Sequence, residues 1–485
     1  MGAGTTAYQS ALSRAYRKDS DLMDPPKNTE DYKDYGINPM TTTAEDRFST
    51  FAVDVDTASY AIARRKILTG QIPPRHAVRV EEFVNYFRYD YAGPRDDRPF
   101  AVHMDAAPSP FAPNRHLLRI GVQAKKLSLR ERKPSNLVFL VDVSGSMRSP
   151  DKLGLAKRAL RILVDNLKDG DTVALVTYAG STRVVLEPTG LEQKTHIVSS
   201  IEDLTAGGST NMGSGLELAY GRAAKNLAPN TISRVIVLSD GDANVGNTGH
   251  DQILATIKGK VKEGVTLSTI GFGMGNYKDT MMEQLANKGN GNYYYIDSLN
   301  QARRVFQEQL GGTLQVVAKD VKIQVEFDPG SVAHYRLIGY ENRNIADRDF
   351  RNDRVDAGEI GVGHTVTALY EVELTGKAEK LATVRIRAKK PRGSKATESA
   401  YPFGRADLHA RFDAASADFR FAAAVMAAAE ILRGSRHAAA WKVDEIKAIA
   451  ASAAEVGDPR ANSERNEFLQ LLDSLRPLRD QLATR

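Results

Sequence analysis

The sequence contains no cysteine among its 485 residues. This absence excludes disulfide frameworks, zinc ribbons, iron–sulfur clusters and cysteine nucleophiles. The sequence also lacks any run near the roughly 20 apolar residues that a transmembrane helix requires. Its first residues have neither the basic start nor the apolar stretch of a secretion signal. We therefore expect a globular chain without a membrane-spanning segment.

A large excess of one charge is also missing. The 66 lysines and arginines stand against 60 aspartates and glutamates, which gives a net charge of +6. The basic residues are dispersed among the acidic ones, whereas a nucleic-acid-binding surface concentrates them on one face. The composition thus argues against a dedicated nucleic-acid-binding protein. The length predicts two to four domains.

What the sequence does contain is an alternation of apolar runs and helical patterns between residues 135 and 312. The runs cover residues 137–143, 172–178, 235–238 and 265–270. The helical patterns cover residues 151–167, 212–226, 250–263 and 299–309. Strands that are apolar throughout are buried on both faces, as in a mostly parallel sheet. The alternation therefore predicts a doubly wound α/β domain over 135–312.

β-type segments lie on both sides of this predicted α/β domain. They predict that it is inserted into a discontinuous β-sandwich-like domain built from residues 100–134 and 313–404. Residues 1–45 are polar and interrupted by prolines, which favours an irregular arm. The segment 46–99 is predicted as an N-terminal α/β segment, and the alanine-rich residues 405–485 as a helical C-terminal region.

Oxygen-bearing side chains follow the first predicted strand of the α/β domain. Asp142, Ser144 and Ser146 alternate along the loop that leaves this strand, with Gly145 allowing a tight turn. Doubly wound sheets bind ligands at the carboxyl ends of their strands. One carboxylate with two hydroxyls favours a hard cation, Mg²⁺ first, with Ca²⁺ or Mn²⁺ as substitutes. The alternative is a serine–glycine turn with a capping aspartate.

Two further segments favour the metal site. Thr210 lies just before a predicted helix, and Asp240 follows the strand that ends at residue 238. Together, Asp142, Ser144, Ser146, Thr210 and Asp240 resemble the metal ion-dependent adhesion site of von Willebrand factor type A (VWA) domains. The resemblance implies that the serines bind the ion directly. It implies that the threonine and the two acids act directly or through water.

The resemblance also implies a function. Mg²⁺ takes six oxygens, so a site of this kind leaves a position for an aspartate or glutamate carboxylate of a partner protein. Such a charge-assisted bond in a partly desolvated site concentrates binding energy in one residue. The sequence therefore predicts Mg²⁺-dependent protein recognition of an adhesion or scaffold type.

Two alternatives to recognition stay open. One is a Mg²⁺-dependent hydrolase or phosphotransferase that uses the ion as a Lewis acid. We expect no enzymatic activity, because the sequence places no histidine, lysine or cysteine beside the metal motif as a base or nucleophile. The other alternative is a structural cell-envelope module in which the ion only stiffens the loops.

The segments before the α/β domain resemble a particular bacterial group of VWA proteins. The similarity lies in residues 51–60, 70–74 and 78–87, and an uncharacterised β and helical region follows the VWA domain in that group. Members commonly carry a secretion or lipoprotein signal. The resemblance thus implies the cell envelope or periplasm if such a signal was trimmed, and otherwise the cytoplasm.

A pair of acids near the N-terminus suggests a phosphatase. Asp54 and Asp56 have the spacing of the nucleophile and the acid/base of haloacid-dehalogenase-like phosphatases, but Ala58 stands where that motif has threonine or valine. A strand end that caps the following helix is the favoured interpretation.

The glycines of residues 271–275 form half of a dinucleotide-binding loop. Gly271, Gly273 and Gly275 lack the full Gly-x-Gly-x-x-Gly spacing and lie late in the domain. We interpret them as a loop near the metal face.

Overall fold

The computed structural model describes residues 29–96, 98–128, 130–241, 250–376 and 378–478. Within these ranges the strands, in chain order, are β1 (Thr41–Thr42), β2 (Phe48–Ala52), β3 (Phe100–Pro108), β4 (His116–Ala124), β5 (Ser135–Asp142), β6 (Thr172–Tyr178), β7 (Thr182–Gly190), β8 (Ile232–Ser239), β9 (Val265–Gly271), β10 (Tyr293–Tyr295), β11 (Val316–Phe327), β12 (Val332–Ile338), β13 (Gly358–Gly361), β14 (Thr365–Leu374), β15 (Lys380–Lys389) and β16 (Ala396–Gly404). The α-helices are α1 (Ala58–Leu68), α2 (Val80–Tyr86), α3 (Leu153–Asp165), α4 (Lys194–Glu202), α5 (Met212–Lys225), α6 (His250–Lys262), α7 (Asp279–Lys288), α8 (Leu299–Arg303), α9 (Leu310–Leu314), α10 (Ala417–Leu432), α11 (Val443–Ala451) and α12 (Pro459–Leu475).

The central layer is a sheet with the strand order β10-β9-β8-β5-β6-β7. Its neighbouring strands are parallel except for β7, which pairs with β6 in the antiparallel sense at the edge. One face packs against α3, α4, α8 and α9, and the other against α5, α6 and α7. Burial on both faces explains the uninterrupted apolar runs of these strands. The doubly wound α/β prediction is confirmed.

Two antiparallel sheets form a sandwich beside this layer. One has the order β1-β12-β14-β4-β3, and the other the order β13-β11-β15-β16 with β2 paired to β11. Both sheets contribute to one apolar core, with Ile120 and Tyr370 from the first and Val325 and Val384 from the second. In the sequence, β3 and β4 precede the α/β layer, whereas β12 and β14 follow it. The β4–β14 pairing, which runs from Gln123–Thr365 to His116–Val372, joins the two parts.

The C-terminal helices pack around α10. Nearly all of its side chains are buried, and its small alanines let α2 and α11 approach closely. Phe421 of α10 meets Phe87 and Phe468 edge to face, with ring centroids 5.0 and 5.6 Å apart. This aromatic cluster ties the N-terminal segment to the C-terminal helices.

The described part of the predicted arm, residues 29–45, has little regular structure but is docked. Thr41 of β1 pairs with Tyr335 of the sandwich. Further up the chain, the Thr29 amide donates to the Gly275 carbonyl at 2.8 Å, beside the α/β layer. Residues 1–28 of the predicted arm lie outside the described residues.

Among the described residues, none of the helices is both long and apolar enough to span a bilayer.

Candidate metal site

The first predicted ligand, Asp142, is the last residue of β5 and is fully buried. Its Oδ1 accepts the Ser144 amide at 2.8 Å, and its Oδ2 accepts the Ser239 hydroxyl at 3.1 Å. Ser239 ends the neighbouring strand β8. The carboxylate is therefore fixed between two parallel strand ends, at the edge of the sheet where doubly wound folds bind ligands.

The two predicted serine ligands lie in the turn that follows β5. The Ser144 and Ser146 hydroxyl oxygens are 3.0 Å apart. Two oxygens that bind Mg²⁺ at its usual bond length on adjacent octahedral positions lie about 3.0 Å from each other. The spacing of the serines thus fits one ion between them.

The loop that carries Thr210 is held against this turn through its backbone. The Gly207 amide donates to the Val143 carbonyl at 2.8 Å, and the Gly145 amide donates to the Gly208 carbonyl at 2.9 Å. Thr210 is partly exposed, one residue before Asn211, the side chain of which caps α5. The loop geometry brings Thr210 to the same edge of the sheet as the serines.

The second acid, Asp240, directly follows β8 and is fully buried. Its Oδ2 accepts hydrogen bonds from Lys152 Nζ at 2.9 Å and from Asn276 Nδ2 at 3.2 Å. The fold thus brings a lysine beside the metal motif, which the sequence did not indicate. The sequence offered only one signal for Lys152, its position at the start of the helix that follows the serine turn.

The site lowers the acidity of its first carboxyl group. Burial raises the pKa of Asp142 to about 6, and the charge of Asp240 also raises it, whereas the hydrogen bonds from Ser144 lower it. A bound divalent cation would favour the ionised carboxylate. Oxygen donors alone, two of them carboxylates, form the donor set that Mg²⁺ prefers, and the predicted residues fit such an ion.

The Asp54–Asp56 pair has a different environment. Both side chains are buried, and each of their four carboxylate oxygens accepts a hydrogen bond from the protein. Arg343 donates to both acids at 3.0 Å, and the Tyr293 amide donates to Asp56 at 2.8 Å. The acids do not cap α1, and the interpretation from the sequence is wrong on this point. Instead they join the N-terminal segment to the sandwich and to β10.

The glycine loop after β9 lies at the metal edge, where Asn276 contacts Asp240. A Cβ at Gly271 would overlap the Tyr277 hydroxyl, and a Cβ at Gly273 would overlap the Lys152 side chain. Close packing, not a dinucleotide, explains these two glycines.

A separate acidic group lies in the sandwich. Ligand atoms of Asp320, Asp356 and Glu359 are within 4.8 Å of one another. Lys389 Nζ pairs with Asp320 at 2.7 Å and offsets part of this charge.

Family models match most of the chain. The model for the von Willebrand factor type A domain covers residues 136–308, and a model described as von Willebrand factor covers 26–119. A model for the C-terminal region of the uncharacterized protein YfbK covers 312–478. The fold, the order of the motif residues and these matches define a VWA-domain protein. VWA domains are commonly involved in protein–protein interaction and adhesion.

The particular family follows from a similar protein of Escherichia coli strain K12. The uncharacterized protein YfbK is 40% identical over 473 residues, which cover 92% of this chain and 81% of YfbK. The chain belongs to the YfbK family of VWA-domain proteins.

More distant similarities are narrower or weaker. Inter-alpha-trypsin inhibitor heavy chain H3 of Pongo abelii is 25% identical over 269 residues, which cover 50% of this chain and 29% of that protein. A solved structure, von Willebrand factor type A from Catenulispora acidiphila, has a TM-score of 0.45 and 18% identity. That match covers 81% of this chain and 92% of that one.

Proposed function

We propose that this protein recognises a partner protein through Mg²⁺ held by Asp142, Ser144, Ser146, Thr210 and Asp240, and that it is not an enzyme. Ca²⁺ or Mn²⁺ would substitute for Mg²⁺. The observation that carries the proposal is the 3.0 Å spacing of the two serine oxygens beside the buried Asp142 carboxylate. The ion would supply a position for an aspartate or glutamate carboxylate of the partner.

Partial exposure on one side of the site supports recognition of an outside group. Asp142, Ser144 and Asp240 are buried, whereas Ser146 and Thr210 are partly exposed. An approaching carboxylate would thus meet the hydroxyl side of the site, away from the two acids that would repel it.

Lys152 is the observation that favours the alternative, a Mg²⁺-dependent hydrolase or phosphotransferase. Its amine contacts Asp240, one of the proposed ligands. However, Nζ donates to Asp240 and to Asn276 Oδ1, both at 2.9 Å, so its N–H groups already have acceptors in the protein. Turnover of a generic phosphomonoester with Mg²⁺, lost in a Lys152→Met variant, would favour the enzyme over the recognition protein.

The metal site makes a prediction for thermal unfolding. A ligand that binds only the folded state stabilises it, by about 2.7 kcal/mol at a concentration 100-fold above its Kd. Mg²⁺ should therefore raise the Tm of the wild type by a few degrees, and Asp142→Ala should abolish the rise. Differential scanning calorimetry with Mg²⁺ and with EDTA measures both.

Asp165→Ala is the matched control, because Asp165 is an exposed acid of the same domain that pairs with exposed Lys194. This control should keep the Mg²⁺-dependent rise. An equal rise in wild type and Asp142→Ala would contradict the metal assignment.

A pull-down tests recognition itself. The bait is wild type in Mg²⁺, wild type in EDTA, or Asp142→Ala, against cell lysate and envelope fractions. A protein that only wild type in Mg²⁺ retains, and that an acidic peptide displaces, supports the proposal. Equal retention of a protein by all three baits would mean that it binds to the sandwich or the helices and not to the metal site.

We also propose the cell envelope as the place of action. The proposal rests on the resemblance of residues 51–60, 70–74 and 78–87 to a bacterial group of VWA proteins whose members commonly carry a secretion or lipoprotein signal. Fractionation of cells that express the native gene, followed by immunoblotting, tests this location. Recovery in the cytoplasmic fraction alone would contradict it.

A further inference from the structure

Lys152 takes part in a set of hydrogen bonds at the metal edge. Its Nζ donates to Asp240 Oδ2 and to Asn276 Oδ1, both at 2.9 Å. Asn276 Nδ2 donates to the same Asp240 oxygen at 3.2 Å. The lysine is 8% exposed, so its charge lies beside Asp240 with little screening by water.

The fold makes room for the lysine stem. Gly273 has a φ of +75°, and a Cβ at this position would overlap Cγ and Cε of Lys152. The loop after β9 thus has a backbone conformation and a side-chain-free residue at the place where Lys152 passes. The lysine is therefore built into the site and is not an incidental surface contact.

Neighbouring contacts hold both loops that form the set. Asp151, next to Lys152, pairs with Arg65 of α1. The Gly275 amide donates to Glu30 at 2.9 Å, and Glu30 pairs with Lys66 of α1 at 2.6 Å. Because both loops are anchored to α1, the ammonium group has little freedom to move away from Asp240.

The position of this charge changes the electrostatics of the site. Two ionised acids, Asp142 and Asp240, would give the ion-free site a charge of −2. The positive charge of Lys152 changes this sum to −1. With a divalent cation the sum becomes +1, where it would be 0 without the lysine. Coulomb's law then gives a weaker attraction for the cation and a stronger attraction for an incoming anion.

We propose that Lys152 is a specificity-determining residue of the site. It weakens cation binding and strengthens the binding of the partner's carboxylate to the cation-loaded site. This inference rests on the proposed function. The partner chemistry it selects is an anionic side chain, and in the absence of that partner the site holds its cation loosely.

The test compares wild type with Lys152→Met and Lys152→Gln, which remove the charge and keep most of the stem. Mn²⁺ is the probe, because electron paramagnetic resonance counts the free ion directly. Both variants should bind Mn²⁺ about tenfold more tightly or better. Acetate, added to the Mn²⁺-loaded proteins and followed by water proton relaxation, should bind the variants at least about threefold more weakly.

Lys260→Met is the matched control for a change in net charge. Lys260 lies on α6 of the same domain and pairs with Glu263 near the surface. This control should keep the wild-type affinity for Mn²⁺ within about twofold.

The outcomes separate the two proposals. Unchanged or weaker Mn²⁺ binding in the folded neutral variants overturns the role of Lys152 and leaves the metal site intact. If Lys152→Met does not fold, as circular dichroism would show, Lys152→Gln decides. Wild type that binds no Mn²⁺ at about 10 mM overturns the proposed function, and the inference with it.

Discussion

Glu81, at the residue scale, is an acid in surroundings that disfavour its charge. The side chain is 2% exposed, and Oε2 accepts the Tyr340 amide at 2.9 Å. Oε1 is buried without a hydrogen-bond partner among the described residues. Burial, together with the charges of the nearby acids Glu341 and Asp54, raises the pKa of Glu81 to about 8. The folded protein therefore keeps a proton here that the unfolded chain releases near its ordinary pKa.

This proton makes stability depend on pH in a defined direction. Between about pH 4.5 and pH 8 the folded state binds more protons at Glu81 than the unfolded state, so Glu81 makes the protein less stable as the pH rises. Glu81→Gln keeps the acceptor for Tyr340 and removes the titration. The difference in Tm, variant minus wild type, should be larger at pH 8 than at pH 5 by about 2 °C or more.

Calorimetry at several pH values measures this difference. Glu379→Gln is the matched control, because Glu379 is exposed. The difference in Tm between Glu379→Gln and wild type should not change with pH over the same range. A flat difference for Glu81→Gln as well would mean that Glu81 is ionised in the folded protein.

Single residues also mark the limit of sequence prediction at the metal site. The motif residues could be named because their types and order form a pattern, although the bound ion stays a prediction. Lys152 could not be named as part of the site from the sequence, because lysines are common at the start of helices. Its partner Asn276 lies 124 residues further along the chain. Only the fold brings these two side chains together.

At the scale of elements, apolar runs predicted β5, β6, β8 and β9, whereas α4 and α7 were missed. The buried face of α7 is mixed, because it carries Asp279 and Glu283 beside Met282, Leu285 and Ala286. Asp279 is 1% exposed and pairs with buried Arg79 of the N-terminal segment at 2.6 Å. Buried acids interrupt the apolar stripe of this helix, and so its sequence shows the helical period only weakly.

The loop between β9 and α7 carries a prediction of its own. Gly273→Ala places a side chain at a φ of +75° and against Lys152, so it should cost roughly 1–3 kcal/mol and lower the Tm by about 2–6 °C. Gly259→Ala is the control. A Cβ there meets nothing within 4 Å inside α6, so this variant should be equally or more stable than wild type. Equal Tm values for the two variants would contradict the strain at Gly273.

At the scale of the whole molecule, the division into domains leads to a deletion experiment. Removing residues 135–312 and closing the gap with a short linker should leave the sandwich folded, because β4 pairs with β14 along its length. The variant should melt at a lower temperature than wild type, since Arg79 loses Asp279. After limited proteolysis, fragments with residues 100–125 and 313–400 should elute together. Separate elution would contradict the predicted insertion.

The two chain connections of the VWA domain have a mechanical consequence. The chain enters the domain from β4, an inner strand of one sheet, and leaves it into β11, an inner strand of the other. A force applied to a bound partner would therefore be transmitted through both chain connections, to β4 and to β11, each of which lies between two neighbouring strands. Such a load would be distributed over both sheets of the sandwich, whereas a single linker at one end of the domain would transmit it to one attachment point.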